Sequence, residues 1–283
     1  MGGPYRQFFS DVSQELQMVA QTSGDEDGED REEVNADGLH GQDGGAQGAK
    51  PASLGLLCPS GNMLAKAERG KDNFALNRGK VSSRDLSLFI FLGVLMGVCV
   101  RTNTNLAVNL PTFVWKLLVG QRLAADDITE FDEGIITELS ALLRASKEDF
   151  EMQFEDRFFT TRLSDQSVVA LGEGDAAKPL TYENRVEYVR KVLYTRMTEC
   201  EAQVEAIRRG MCQVIPAALL NMVGHSELAE WVYGKRTIDI DLLRRHTDSS
   251  AFSPADELIT WFWEVLEEMS QEERRKFIQF CYA

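Results

Sequence analysis

Histidine is scarce in this chain, with three among 283 residues at His40, His225 and His246, none beside a cysteine or another histidine. Zinc and related ions need clustered His, Cys or carboxylate ligands, so no metal site is expected, and no cofactor. The five cysteines, Cys58, Cys99, Cys200, Cys212 and Cys281, are odd in number, far apart and without a CxxC pair. That is the pattern of a reducing, cytoplasmic interior and not of a disulfide framework. Positive charge is also short: 30 Lys and Arg stand against 45 Asp and Glu, a net charge of -15. A surface so acidic argues against nucleic acid and anionic membranes as partners. No GxxxxGK[ST] or GxGxxG follows a strand, and no GxSxG is present, which removes the usual phosphate cradles and the nucleophile elbow. The opening MGGPYRQFF has no apolar core for a secretory signal, and Arg6 stands where N-myristoylation wants Ser or Thr.

What the chain has instead is one uncharged apolar run, Leu86–Val100, between Arg84-Asp85 and Arg101. It falls short of the ~20 apolar residues of a membrane span. A helix apolar all round is expected to be buried in a large core. Gly93 and Gly97, four apart, share a helix face and invite close approach of another element. Ser82 and Asp85 form the signature of a capping box at its start.

On either side, the spacing predicts a mostly helical chain. Pro4 opens an amphipathic helix to residue 20, with Tyr5, Phe8, Phe9, Val12, Leu16 and Val19 in its stripe. Residues 21–50 are acidic and Gly-rich, with too little apolar surface to offset the entropy of ordering, and are expected to be disordered. They lack the ligand alternation of a calcium loop. Leu54–Cys58 and Asn73–Asn77 read as short extended pieces. Pro111 opens a helix over Thr112–Val119, and Asp132 is a good N-cap for Glu133–Arg144. Phe158–Thr161 and Val168–Leu171 suggest a small sheet. A single long helix is expected from Tyr182 to about Arg209, ended by Gly210. Short helices follow at Ala217–Met222, Ser226–Val232 and Ile240–Arg245. The last two are Ala255–Met269 and Glu273–Phe280, with Phe277, Ile278 and Phe280 turned toward a core.

No cysteine is placed to act as a nucleophile by itself. Cys99 lies in the apolar run, Cys58 and Cys212 have apolar neighbours, Cys200 sits between Glu199 and Glu201, and Cys281 is nearly the last residue. Each of these settings, or the lack of a nearby base, disfavours a reactive thiolate. The residues alone describe a large helical domain with candidate binding surfaces.

Several segments, in order, resemble the amino-terminal lobe of HECT-type ubiquitin ligases, most closely the very large HERC subgroup. They are Gly2–Arg6, Leu56–Pro59, FLGVLMGVCVRT at 91–102, Leu110-Pro111 with Val114–Lys116, and LTYENRVEYV at 180–189. Ile207–Gly210 with Val214–Pro216, Glu227-Leu228 with Gly234, and WFWEVLEEMSQEERRKFIQF at 261–280 complete the set. The resemblance implies an α+β, predominantly helical lobe over 51–283, preceded by its N-terminal helix at 1–20 and the acidic insertion at 21–50. A large helical subdomain would carry a smaller α/β subdomain at about 121–192.

The family implies the activity as well. A HECT ligase is a ubiquitin-protein transferase that takes ubiquitin from a charged conjugating enzyme onto its own cysteine and passes it to a substrate lysine. The amino-terminal lobe holds the conjugating enzyme, and by the resemblance its groove falls on Ile135, Leu139 and Leu142, with Tyr188 and Val192 opposite. The partners implied are the conjugating enzyme, ubiquitin, and a protein substrate chosen by regions outside this chain. The resemblance places the catalytic cysteine on a smaller carboxy-terminal lobe that is expected to be missing from this chain; none of the five cysteines matches its position, so the sequence alone is expected not to form the thioester. The rival reading is a non-catalytic module that binds the conjugating enzyme.

Overall fold

The computed structural model describes residues 3–17, 54–70, 72–154, 156–235, 237–248 and 257–282. Residues 18–53, including the acidic stretch 21–50, lie outside the described residues. The chain divides into two units, Met1–Val232 and Tyr233–Ala283.

The first unit is organised around the apolar run. Ser82 accepts from the amide of Asp85 at 3.1 Å and the Asp85 carboxylate accepts from the amide of Ser82 at 3.3 Å, the reciprocal cap that the spacing predicts. Before that helix come α1 (Gly3–Gln17), β1 (Leu57–Pro59), α2 (Gly61–Leu64) and β2 (Phe74–Leu76); the helix itself is α3 (Ser83–Thr102). β1 and β2 pair antiparallel with Leu57 opposite Leu76. Then follow α4 (Thr112–Leu118), α5 (Asp126–Thr129), α6 (Glu133–Arg144), α7 (Lys147–Phe154), and a hairpin of β3 (Thr160–Arg162) and β4 (Val168–Ala170). The unit ends with α8 (Arg185–Thr198), α9 (Glu201–Met211), α10 (Ala217–Met222) and α11 (His225–Tyr233), whose last residue opens the second unit.

The main core gathers Phe89, Leu92, Met96 and Cys99 of α3 with Trp115, Ile207 and Met211, and takes in Phe9 and Leu16 of α1. α3 is less enclosed than its composition suggests. It buries one face, while Phe91 is exposed and Ile90, Val94 and Val98 are half-buried. With its polar ends it reaches 20 residues, long and apolar enough by length and composition to cross a membrane. Its most extensive contact is with α9, and there the glycines decide the geometry. A Cβ at Gly93 would stand 2.0 Å from the Ile207 carbonyl oxygen, and one at Gly210 would stand 1.9 Å from that of Ile90. Two backbones touch because neither glycine has a side chain.

The single long helix expected from Tyr182 to Arg209 is two. It breaks at Glu199-Cys200, where both side chains turn into the protein and the Glu199 carboxylate is taken by Ser164. Gly210 does not end its helix but lies within α9, making the contact with α3. α7 was not legible as a helix, although Ser146 accepts from the Asp149 amide at its start at 3.1 Å.

The second unit holds α12 (Ile240–His246), α13 (Glu257–Glu268) and α14 (Gln271–Tyr282). Ile240, Trp263 and Leu266 form its core, with Phe277 packed against them. Ser270 and Glu273 make the second capping box. Phe280, expected to point inward, is 83% exposed, because α14 turns that face away from the small core.

Candidate functional site

The site begins at the N-terminus of α6. Asp132 caps the helix by accepting from the Ile135 amide at 3.1 Å. Gly134 and Ser140 leave one apolar stripe, and the stripe carries Ile135, Leu139 and Leu142. α8 supplies Tyr188 and Val192, four apart and on one face.

All five residues are brought together, but they do not line an open cleft. Leu139, Leu142, Tyr188 and Val192 are 4%, 0%, 6% and 0% exposed and form a second apolar cluster with Phe150, Phe154, Phe159 and Leu180. Ile135 is half-buried and packs against both clusters. It also lines an open depression of about 630 Å³ with Leu64, Glu138, Arg157 and Arg162. The stripe's period shows which face of α6 is apolar; it cannot show that α7 and the residues leading into β3 cover that face. The apolar side chains of these elements that meet solvent are others: Leu143 (41% exposed) on α6, Phe158 (48%) before β3 and Val168 (61%) on β4.

The cluster is fastened by polar contacts at its edges. The Tyr188 hydroxyl donates to the Thr160 carbonyl oxygen at 3.1 Å and its ring packs edge-on against Phe159, 5.4 Å between centroids. Burial pushes the Tyr188 phenol above its usual pKa, so it remains a donor. Lys191 binds Asp175 at 2.6 Å, and Lys178 binds Glu187 at 3.0 Å while lying 4.0 Å from the Phe159 ring centre. The Lys178 hydrogen bond, with Lys191 adding to it, holds the Glu187 carboxyl below the usual range. Arg157 pairs with Glu138 across from α6.

A charge that the sequence reading passed over lies beneath this surface. Arg196, 1% exposed, reaches Asp132 at 2.7 Å and Glu199 at 3.1 Å. Its position four residues after Val192, on the buried stripe of α8, was the available signal: a charge there needs partners.

Among the described residues no three His, Cys, Asp or Glu side chains gather as metal ligands. Burial pushes the thiols of Cys58 and Cys99 up to about 12 and that of Cys200 well above its ordinary value. Glu199 and Asp165 add to the effect at Cys58. These three are thiols and not thiolates near neutral pH. Native alkylation at pH 8 with iodoacetamide, read by peptide mass spectrometry, should label exposed Cys281 at least tenfold faster than Cys58, Cys99 or Cys200. Equal labelling would show that these thiols are accessible.

The sequence profile of the HECT-domain (ubiquitin-transferase) family matches residues 53–282, across both units. The chain belongs to the HECT family. It is 34% identical over 230 residues, 81% of its length, to the E3 ubiquitin-protein ligase HERC2 of Mus musculus and equally to that of Homo sapiens. It is 26% identical over 249 residues to the E3 ubiquitin-protein ligase HACE1 of Gallus gallus. The chain spans about 5% of the length of the HERC2 relatives and 26% of that HACE1. The resemblance to the HERC subgroup therefore holds, as does the predominantly helical α+β class.

Proposed function

We propose that this chain acts as the amino-terminal lobe of a HECT-type ubiquitin ligase and docks a ubiquitin-charged conjugating enzyme on the subdomain at about 121–192. The seat is the apolar cluster joining α6 and α8. Leu139, Leu142, Tyr188 and Val192 set the spacing of the two helices from beneath, and Ile135 with exposed Leu143 and Phe158 meets the partner. What carries this reading is the arrangement itself. An apolar cluster shared by α6, α7 and α8 has half-buried Ile135 packed on it, and exposed Leu143 and Phe158 lie on the same elements or beside them, in a chain of the HECT-domain (ubiquitin-transferase) family. A few anchors near the centre of an interface, aromatic ones above all, carry most of its energy.

Ubiquitin then passes to a cysteine other than Cys58, Cys99 and Cys200, whose thiols are held neutral, and onward to a substrate lysine. The binding-only reading draws on the same thiols, and a thioester trap without reductant separates the two. A ubiquitin adduct on the 283-residue chain supports its own catalysis; none supports a docking role.

The docking test measures affinity for a panel of conjugating enzymes, each carrying ubiquitin through a stable oxyester. Ile135→Asp and Leu143→Asp should weaken binding about tenfold or more; melting should shift by only a few degrees in Leu143→Asp, whose side chain is exposed, and further in Ile135→Asp, whose side chain packs on both clusters. Leu139→Ala should weaken it less directly, through a loosened cluster. Wild-type affinity in both charged variants would sink the docking site.

A further inference from the structure

The first turn of α6 is fixed by its own cap residue and by side chains from two other parts of the chain, α2 and α8. Asn62 of α2, 1% exposed, accepts from the Glu133 amide at 2.7 Å and donates to the carbonyl oxygens of Arg69 and Thr129 at 2.9 and 2.8 Å. Asp132 uses one carboxylate oxygen to cap α6 and the other to accept from Arg196. The fit is close: a Cβ at Gly61 would stand 2.8 Å from the Asp132 carboxyl carbon.

Arg196 is the hub. One terminal nitrogen donates to Asp132; the other donates to Glu199 and to the Arg162 carbonyl oxygen at 3.3 Å, the last residue of β3. Its guanidinium also lies 5.2 Å from the Phe131 ring centre. Glu199 in turn accepts from the Ser164 hydroxyl at 2.6 Å and its amide at 3.2 Å, in the turn of the hairpin. One buried cation thereby links the cap of α6, the hairpin and the end of α8. A planar fork can hold two carboxylates and a carbonyl at fixed angles; an ammonium cannot. Arg196 itself is no partner contact, since it is 1% exposed and the Glu199 side chain 0%; Asp132 keeps 23% of its side chain in solvent.

We infer that Arg196 is a positioning residue for conjugating-enzyme binding: through Asp132 and Arg162 it fixes the pitch of α6 against the β3–β4 hairpin. The two surfaces so aligned are those that carry Ile135 and Leu143 on one side and Val168 on the other. The inference rests on the docking reading above. Its prediction is that affinity depends on the Arg196–Asp132 link even where the lobe remains folded.

Serine caps a helix about as well as aspartate, so Asp132→Ser keeps the bond to the Ile135 amide and removes the carboxylate from Arg196. Asp132→Asn keeps the cap and a neutral acceptor. With the full chain and the tightest-binding oxyester-charged conjugating enzyme of the panel, Asp132→Ser should lose about tenfold in affinity well below its melting temperature, with unchanged circular dichroism. Asp132→Asn should recover to within about threefold of the wild type. A merely structural role would lower the melting temperature and leave that affinity alone. Should Asp132→Ser not fold, Arg196→Lys replaces it and should show the same loss. Wild-type affinity in Asp132→Ser, or in Arg196→Lys, while Leu143→Asp and Ile135→Asp weaken binding would overturn the positioning role and leave the docking site standing. Wild-type affinity in Ile135→Asp and Leu143→Asp as well would remove both.

Discussion

Gly210→Ala is expected to destabilise the first unit by about 3 kcal/mol or more, the upper part of the range for overpacked sites. A methyl group there would lie 1.9 Å from the Ile90 carbonyl oxygen and 2.9 Å from the Val94 amide nitrogen, both backbone atoms of α3. Backbone cannot rotate aside as a side chain can, so α3 and α9 would have to part by more than an ångström. That opens the core along Phe89, Met96, Ile207 and Met211, all buried to within 0% exposure. The helix propensity gained by alanine over glycine, about 1 kcal/mol, is smaller and does not offset the loss. Gly134→Ala on α6 is the control, because its added methyl meets only the Asp132 carboxylate at 3.6 Å, an ordinary contact. Urea unfolding followed through buried Trp115 should show the first variant unfolding at much lower denaturant and the second near the wild type. Equal midpoints for Gly210→Ala and the wild type would refute the close crossing.

Arg196→Met should cost about 3 kcal/mol at neutral pH. Breaking a buried ion pair by removing one partner typically costs 3–5 kcal/mol, because the remaining charge is left without compensation. Here two carboxylates lose their cation. Glu199 is fully enclosed, and Asp132 keeps 23% of its side chain in solvent, which places the expectation at the lower end. Burial already raises the Glu199 carboxyl above its usual value against the opposing pull of Arg196, so without the arginine Glu199 takes up a proton more readily. The double variant Arg196→Met, Glu199→Met should regain most of the loss, since a well-packed apolar pair can replace a buried ionic one. The same urea experiment reads both. If the single variant matched the wild type, the cation would contribute nothing to the fold and would not be its hub.

Local chemistry made much of this legible from the residues. Capping boxes at Ser82 and Ser270, the Asp132 cap and the glycine pair on the apolar run are statements about neighbours within a few positions, and each is found in the structure. The family was legible too, because its segments recur in order along the chain. Less legible was anything settled by partners distant in sequence. The stripe from Tyr182 to Arg209 has a continuous helical period, yet it breaks at Glu199, whose carboxylate is claimed by Ser164, 35 residues earlier.

The candidate site shows the same division. Sequence by itself determined that α6 and α8 present apolar faces at Ile135, Leu139, Leu142, Tyr188 and Val192, and that such faces must be covered by something. Tertiary structure decided what covers them: Phe150, Phe154 and Phe159 of the same chain close over four of the five, and Ile135 alone of the five stays half-buried. The reason is physical. Periodicity fixes the direction in which a side chain points from its own helix, while burial depends on which other elements arrive there, and that is set by contacts across the whole fold.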